Sequence, residues 1–554
     1  MRAQSPAANR ITNDGFVTDS ALDAVNATGF VVRSVPLGGG SFSRALQSAS
    51  LGDAWLAKRP RSVSAWREHV NAVRDAQQGG EWLAALSPAF AATGRASDRL
   101  TRAAAAGVVV TTGQQPGLFG GPAYTWSKAI GALAMADALQ AACDVPVAPV
   151  FWAASDDADW MEAAVTHVVT SIGLTTLSLD GPPTDGIAMA DVALGEMSAL
   201  LAQLRAASGS IAHADILGLV EAAYVPHATV GGAYVQLLRA LLEPLGIAVL
   251  DAAHPAVKNA ADPFLRHALG QASIVADALA ERTATIRASG HAPQVDAIDD
   301  LSLVFRTQLG VSGRSRDRVR ERVPVKDVAR VAREAETGTL GANVLLRPVL
   351  ERALMPTVTY MAGPGEYAYF AQVSAVASAL GVAQPIVSPR WAGEVIDNDA
   401  FVRIERLGIA EGLLHDPHSA ESELARRSMS ENVQDALERL RVATDTQLRA
   451  VRDAISDDEG LVSANVIAGL ERDIAHRLSR FERRLLAGIK RRESELMRQI
   501  AVVRASFRPG GSSPERVINL MPILIRYGPS VFAHMHAEAL THARALVHGA
   551  SAPA

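Results

Sequence analysis

The chain has 554 residues, with 53 Lys and Arg against 58 Asp and Glu, a net charge of −5 at pH 7, and 49% apolar positions. That is more than one ordinary domain and enough for a sizeable core, while charged residues at 20% and aromatics at 5% exclude wholesale disorder. The mild acidity gives no global attraction to nucleic acid, and the single cysteine, Cys143, excludes an internal disulfide and a Cys-rich metal site and suits a reducing cytoplasm.

Residues 1–105 carry helical apolar spacing in short blocks, broken near Pro36 and Pro60, and predict a helical, loop-rich entry segment without visible chemistry. The N-terminus lacks the apolar core of a secretory signal. The Ala-rich stretch after Gly120 is interrupted by Lys128, Asp137 and Asp144, so no segment predicts a membrane span. From Gly107 the pattern changes to a β-branched run ending at Thr112, a loop GQQPGLFGGP, a helix over about 123–139 and a second run VPVAPVFWAAS. Strand, glycine loop, helix and strand in that order predict a parallel pair whose loops gather at the carboxyl ends of the strands, where open α/β sheets place ligands. Further strand-like runs lie at 246–253, 355–363 and 384–390, with insertions near 165–240 and 265–340. The core is expected to span 106–397.

Beyond Asp397, Val433, Leu437, Leu440, Leu448, Val451 and Ile455 follow three-and-four spacing, and Leu470, Ile474, Leu478, Phe481, Leu485 and Ile489 repeat it. Two long amphipathic helices turning near Ser456–Gly460 are predicted, an antiparallel hairpin within 398–506 whose seam closes on itself or pairs between protomers. Residues 507–554 begin with Pro and Gly punctuation and predict a helix returning to the core.

Three stretches carry candidate chemistry. In TTGQQPGLFGGPAYTWSK, Gly113, Gly117, Gly120 and Gly121 let backbone approach a ligand, Gln114 and Gln115 offer amides, and Tyr124 and Lys128 follow one helical turn apart. A turn needed only for strand–helix packing is the plain alternative. FWAASDDADWME places Trp152, Asp156, Asp157 and Asp159 at the next strand end, where three carboxylates require a cation, an ammonium, a basic neighbour or a retained proton; a solvated acidic turn is the alternative. In the third, Asn343 and Arg347 precede a strand, then Gly363, Gly365, Glu366, Tyr367 and Tyr369 repeat the glycine-turn design, with Glu366 alternatively serving only the helix dipole. Arg390, after another strand, is a plausible carboxylate or phosphate fork. His167, His254 and His415 are scattered without a metal-ligand pattern, so no protein metal site is expected. Cys143 reads as a packing residue.

These segments together resemble the BshC family, assigned as cysteine ligases of bacillithiol biosynthesis. TTGQQPGLFGGPAYTWSKA is similar to that family's TGQQxGLxxGPLYTxxK loop, PVFWAASDDADWME to PVFWxAxEDHDFxE, the stretch from Asn343 to Gln372 to NVLLRPxxQxxLLPTxAYxGGPGExAYxAQ, PIVSPR to PxVxPR, and PERVINLMPILIRYG to QERxxNxxxxxxxYG. The resemblance covers most of 30–545 in the same order. It implies a Rossmann-like core with helical insertions, a C-terminal coiled-coil hairpin used in a homodimer, and amide formation between cysteine and glucosaminyl malate, with ATP and Mg2+ expected as activators. On that reading Gln114, Gln115 and the glycine backbone hold a nucleotide or the malyl group. Asp156, Asp157 and Asp159 hold an ammonium or Mg2+, and Lys128, Arg347 and Arg390 neutralise carboxylates or phosphates. Ala158 stands where the family carries histidine, and Pro514 where it carries glutamine. A ligase or nucleotidyltransferase for another amine, or a non-catalytic assembly protein built on the hairpin, are the competing readings.

Overall fold

A computed structural model describes residues 29–48, 50–51, 54–77, 80–183, 185–296, 300–309, 318–416, 418–456 and 462–550. The strands in chain order are β1 (Phe30–Ser34), β2 (Val108–Gln114), β3 (Val147–Ala153), β4 (Val165–Thr170), β5 (Gly173–Ser178) and β6 (Ala248–Asp251). They continue with β7 (Leu301–Leu309), β8 (Arg318–Pro324), β9 (Leu340–Ala342), β10 (Thr357–Ala362), β11 (Val387–Pro389) and β12 (Gly393–Asp397).

The five runs expected from sequence form one parallel sheet in the order β11-β10-β2-β3-β6. The central strands β2 and β3 are buried on both faces because helices cover both, and every residue of β3 is buried. The helix Ala123–Cys143, four residues longer than expected, crosses from β2 to β3 and is apolar nearly all round, as a helix enclosed on all sides must be. Cys143 is buried at its end, and burial pushes the thiol pKa up, consistent with packing rather than reactivity.

The chain lays down β2, β3 and β6 in one direction and then returns to place β10 on the other side of β2. The loops after β2 and β10 therefore diverge, opening a crevice at the carboxyl edge of the sheet. The insertion before β10 adds an antiparallel sheet, β8-β7-β9, in which Phe305 lies opposite Arg322.

The described chain divides into two compact units, one comprising 169–174 and 396–513, the other 29–168, 175–395 and 514–550. The sheet and its crevice belong wholly to the second, in which the helix Ser530–His548 packs along Ala123–Cys143. In the other unit the helices Glu431–Ser456 and Ala464–Arg492 form the hairpin, tied by Arg441 to Glu482 and by Arg452 to Glu471. Its seam closes around Met429, Leu486 and Ile489, with Leu437 and Leu485 packed on them, whereas Leu440, Val451, Leu470 and Phe481 stay exposed, Phe481 by 53%. The turn expected at Ser456–Gly460 falls mostly outside the described residues. No helix among the described residues is long and apolar enough to cross a membrane.

Candidate active site

The register sets the crevice. Gly113 lies beside Trp152 and Gln114 beside Ala153, so the glycine loop and the aspartate turn leave adjacent strands at the same level. A Cβ on Gly113 would sit 2.7 Å from the Trp152 carbonyl oxygen and 3.5 Å from an Arg347 nitrogen, so only glycine admits this approach. Gly120 has φ of +85° and its Cα faces the Trp126 ring, where a Cβ would lie 2.5 Å away. The loop is held from behind by Asn519, whose Nδ2 donates to the carbonyls of Leu118 and Phe119 and to the Thr166 hydroxyl, each at 3.1 Å.

The cavity between these turns has a volume of about 430 Å³. Among the residues expected from sequence, Gly113, Gln114, Gln115, Lys128, Asp156, Asp157, Asn343, Arg347 and Glu366 line it. Gln114 and Asp157 thus share one hollow, and Gln115 Nε2 donates to Asp157 Oδ2 at 2.6 Å. Ala158 lines the same wall, so a methyl faces the cavity where the resembling family has an imidazole.

Lys128 emerges one turn into its helix and is 5% exposed. Its Nζ donates to Gly113 O at 3.0 Å and Gln114 Oε1 at 2.7 Å and pairs with Glu366 Oε2 at 2.8 Å. Burial lowers the lysine pKa against the pull of Glu366, while Glu366, despite its own burial, is held below the usual carboxylate range by Lys128 and by donors from Tyr360 and Gly363. Glu366 therefore serves its helix N-terminus and the cavity at once.

The aspartates separate by role. Asp156 pairs with Lys258 and its backbone oxygen accepts from Arg320; burial opposes its ionisation, but those two cations bring its pKa down to about 2. Asp157 accepts from Gln115 and from the Ala158 N–H at 2.6 Å and has no ion-pair partner among the described residues. Asp159 lies outside the lining and caps a short helix, accepting from Glu162 N at 3.1 Å.

The remaining expected residues sit around the cavity rather than in its lining. Tyr124 donates to Glu162 at 2.8 Å, and Gln114 Nε2 donates to the same carboxylate at 2.8 Å. Trp152 packs in the apolar layer with Val109 and Leu250, Tyr367 in the layer with Phe370, and Gly117 in close backbone contact with Gly121. Gly363 and Gly365 form the turn under Glu366. Arg390 forks onto Glu515 at 2.8 and 3.0 Å, both buried. Tyr369, named with Glu366 and Tyr367 in the third stretch, also lines the cavity, whereas Arg320, Arg322, Phe305 and Lys258 were not singled out by sequence. The signal for the arginines is the alternation R-V-R-E-R-V over 318–323, which puts Arg320 and Arg322 on one strand face.

Arg347 donates to Glu351 Oε2 and to the Tyr360 and Tyr369 hydroxyls, each at 3.3 Å. Glu351 is 1% exposed, and burial outweighs Arg347 to push its pKa up to about 7. A carboxyl raised from 4.5 in the unfolded chain stabilises the fold fully below pH 4.5 and loses that contribution as pH rises to about 7, a change of roughly 3 kcal/mol. Glu351→Gln is expected to flatten that slope, read as urea midpoints at pH 4.5 and 8.

The profile described as "Bacillithiol biosynthesis BshC, N-terminal Rossmann-like domain" matches residues 57–391, and "Bacillithiol biosynthesis BshC, C-terminal coiled-coil domain" matches 403–545. The chain belongs to the BshC family. A BshC protein of Koribacter versatilis named "Putative cysteine ligase BshC" is 30% identical over 447 residues, covering 78% of this chain and 81% of the relative. One of the same name from Solibacter usitatus is 27% identical over 465 residues, covering 82% and 87%. The BshC Rossmann-like match contains every cavity residue named above, and the BshC coiled-coil match contains the helical hairpin and the tail from Pro514 that clamps the glycine loop.

A protein-held Mg2+ does not fit this donor set. Asp156 is already neutralised, Asp159 is turned to a helix end, and no described group of three His, Cys, Asp or Glu residues is placed to hold a metal.

Proposed function

We propose that this chain is a carbon–nitrogen ligase that joins the carboxylate of cysteine to the amine of glucosaminyl malate, the amide-forming step of bacillithiol biosynthesis. The observation that carries the reading is the balance of charge in the crevice. Lys128 is matched by Glu366 and Asp156 by Lys258, and Arg347 is bonded to Glu351, whose carboxyl is part-ionised near pH 7. Asp157, Arg320 and Arg322 line the same cavity without an ion-pair partner among the described residues. The unpaired Asp157 and Arg322, together with Arg320, which also donates to the Asp156 backbone oxygen and helps to hold that carboxyl ionised, complement one ammonium and separate carboxylates: the acceptor amine against Asp157, its malyl group on Arg320, the donor carboxylate on Arg322.

In the reaction the amine nitrogen attacks the carbonyl carbon of the activated cysteine carboxylate. Asp157 first takes one proton from the bound ammonium to free the nitrogen lone pair; the C–N bond then forms, the C–O bond to the activating phosphoryl group breaks with its electron pair leaving on the phosphate oxygen, and the second nitrogen proton goes to solvent. Asp156, at a pKa of about 2 and paired with Lys258, is too weak a base for that task. ATP is the activator in this proposal, and no step is routed through a protein-held metal. The homodimer is part of the same reading, favoured by the apolar residues left exposed along the hairpin.

The test is incubation of the full chain with L-cysteine and glucosaminyl malate, with and without ATP and Mg2+, and detection of the amide by mass spectrometry. Product in the complete mixture is expected. Its absence with cysteine, alongside an amide from another amine or amino acid, overturns the substrate assignment; product without nucleotide overturns ATP.

A further inference from the structure

Beside the crevice lies a second cavity of about 300 Å³, and the two share Arg322 and Asn343 as common wall. Its chemistry differs. Val275, Leu279 and Leu345, each buried, form an apolar floor, and Asp277, Asp296 and Asp300 line it as exposed carboxylates with no cationic partner among the described residues. The three are not placed to share a metal ion.

The shared wall points to a ligand. Asn343 is 5% exposed, and its Oδ1 is used by the N–H groups of Leu345 and Leu346 at 3.1 and 3.0 Å, which fixes the amide and leaves Nδ2 without a protein acceptor. Arg322 is half-buried with its guanidinium carbon 5.6 Å from the Phe305 ring centroid, and it too lacks a carboxylate partner. Two donors without acceptors at one end, carboxylates along the rim and an apolar floor between them describe a zwitterion with a short apolar side chain.

We propose that this second cavity is the amino-acid donor pocket. The ammonium rests against the Asp277, Asp296 and Asp300 rim, the side chain lies over Val275 and Leu279, and the carboxylate is held by Arg322 and Asn343 where it faces the crevice. The inference rests on the ligase reading for the identity of the amino acid, cysteine, but not for the pocket itself. It assigns Arg322 and Asn343 as the residues that deliver the donor carboxylate to the acceptor amine.

Equilibrium dialysis of the full chain with radiolabelled L-cysteine, in the presence and absence of L-malate, tests it. Ala276 lines the pocket with an exposed side chain, so Ala276→Trp fills the space without disturbing the core. Wild type is expected to bind cysteine saturably. Ala276→Trp and the double variant Asp277→Asn/Asp300→Asn are each expected to weaken it about tenfold or more while L-malate binding stays as in wild type. Arg322→Gln is expected to weaken cysteine but not cysteamine, which lacks the carboxylate. Cysteine binding unchanged in both pocket variants, or absent from wild type, overturns the assignment. Amide formation with an unchanged KM for cysteine in those variants sinks the pocket and leaves the ligase reading standing; weakened cysteine binding without any amide product does the reverse.

Discussion

Arg390→Ala is expected to destabilise the protein by about 3–5 kcal/mol, the range for removing one partner of a buried ion pair. The guanidinium is 2% exposed and makes two parallel bonds to Glu515, itself 5% exposed, so truncation strands a carboxylate with no water to solvate it. The loss reaches the crevice, because Glu515 opens the same short segment that ends in Asn519, the clamp on the glycine loop. Urea unfolding of the full chain reads the effect, with Arg390→Lys intermediate because it keeps charge but loses the fork. The double variant Arg390→Met/Glu515→Leu is expected to recover most of the loss, since no unpaired charge remains. A single alanine variant within about 1 kcal/mol of wild type would show that the pair is dispensable.

The tail motif shows what sequence can and does not convey. Its resemblance to the family pattern was legible, but that Glu515 answers Arg390, 125 residues away, and Asn519 answers Leu118, 401 residues away, is settled only by the fold. The sheet was legible for a simpler reason: strands covered on both faces are short β-branched and apolar runs, and at the ends of β2 and β10 glycine, Gly113 and Gly363, marks where the backbone turns into the crevice. The hairpin was legible because its three-and-four spacing persists over about twenty residues in each helix.

The aspartate trio was legible as a cluster but not as three separate environments. At a strand end successive side chains diverge, so neighbours in sequence meet Lys258, Gln115 and a helix N-terminus respectively. Arg320 and Arg322 were missed for a related reason. Alternation tells which residues share a strand face, but whether that face meets solvent or a cavity depends on where an insertion of about seventy residues docks, which local pattern does not encode.

Asp157→Asn is expected to lower kcat/KM for amide formation about 100-fold or more, the lower range for loss of a general base. The amide keeps the size of the carboxylate, and its one oxygen can still accept from the Ala158 N–H, while its NH2 replaces the oxygen that accepted from Gln115 and is met by the Gln115 amide oxygen once that side chain turns over, so the shape of the crevice is kept. What it loses is the negative charge for the acceptor ammonium and the acceptor for its proton, so KM for the amine substrate should rise and kcat fall together. Asp156→Asn provides the contrast: it frees Lys258, disturbs a buried pair and is expected to affect stability more than the proton-transfer step. Because Ala158 offers no ionisable group beside Asp157, this wall should contribute no limb in the histidine range near 6.5 to the wild-type pH–rate profile, and a limb near 7 would belong to Glu351 behind Arg347. Adding Ala158→His to Asp157→Asn places an imidazole on the same cavity wall and is expected to restore part of the rate together with such a limb. A single Asp157→Asn variant with unchanged kcat and an unchanged pH profile would move the proton acceptor away from this wall altogether, onto the substrate or its activating phosphate.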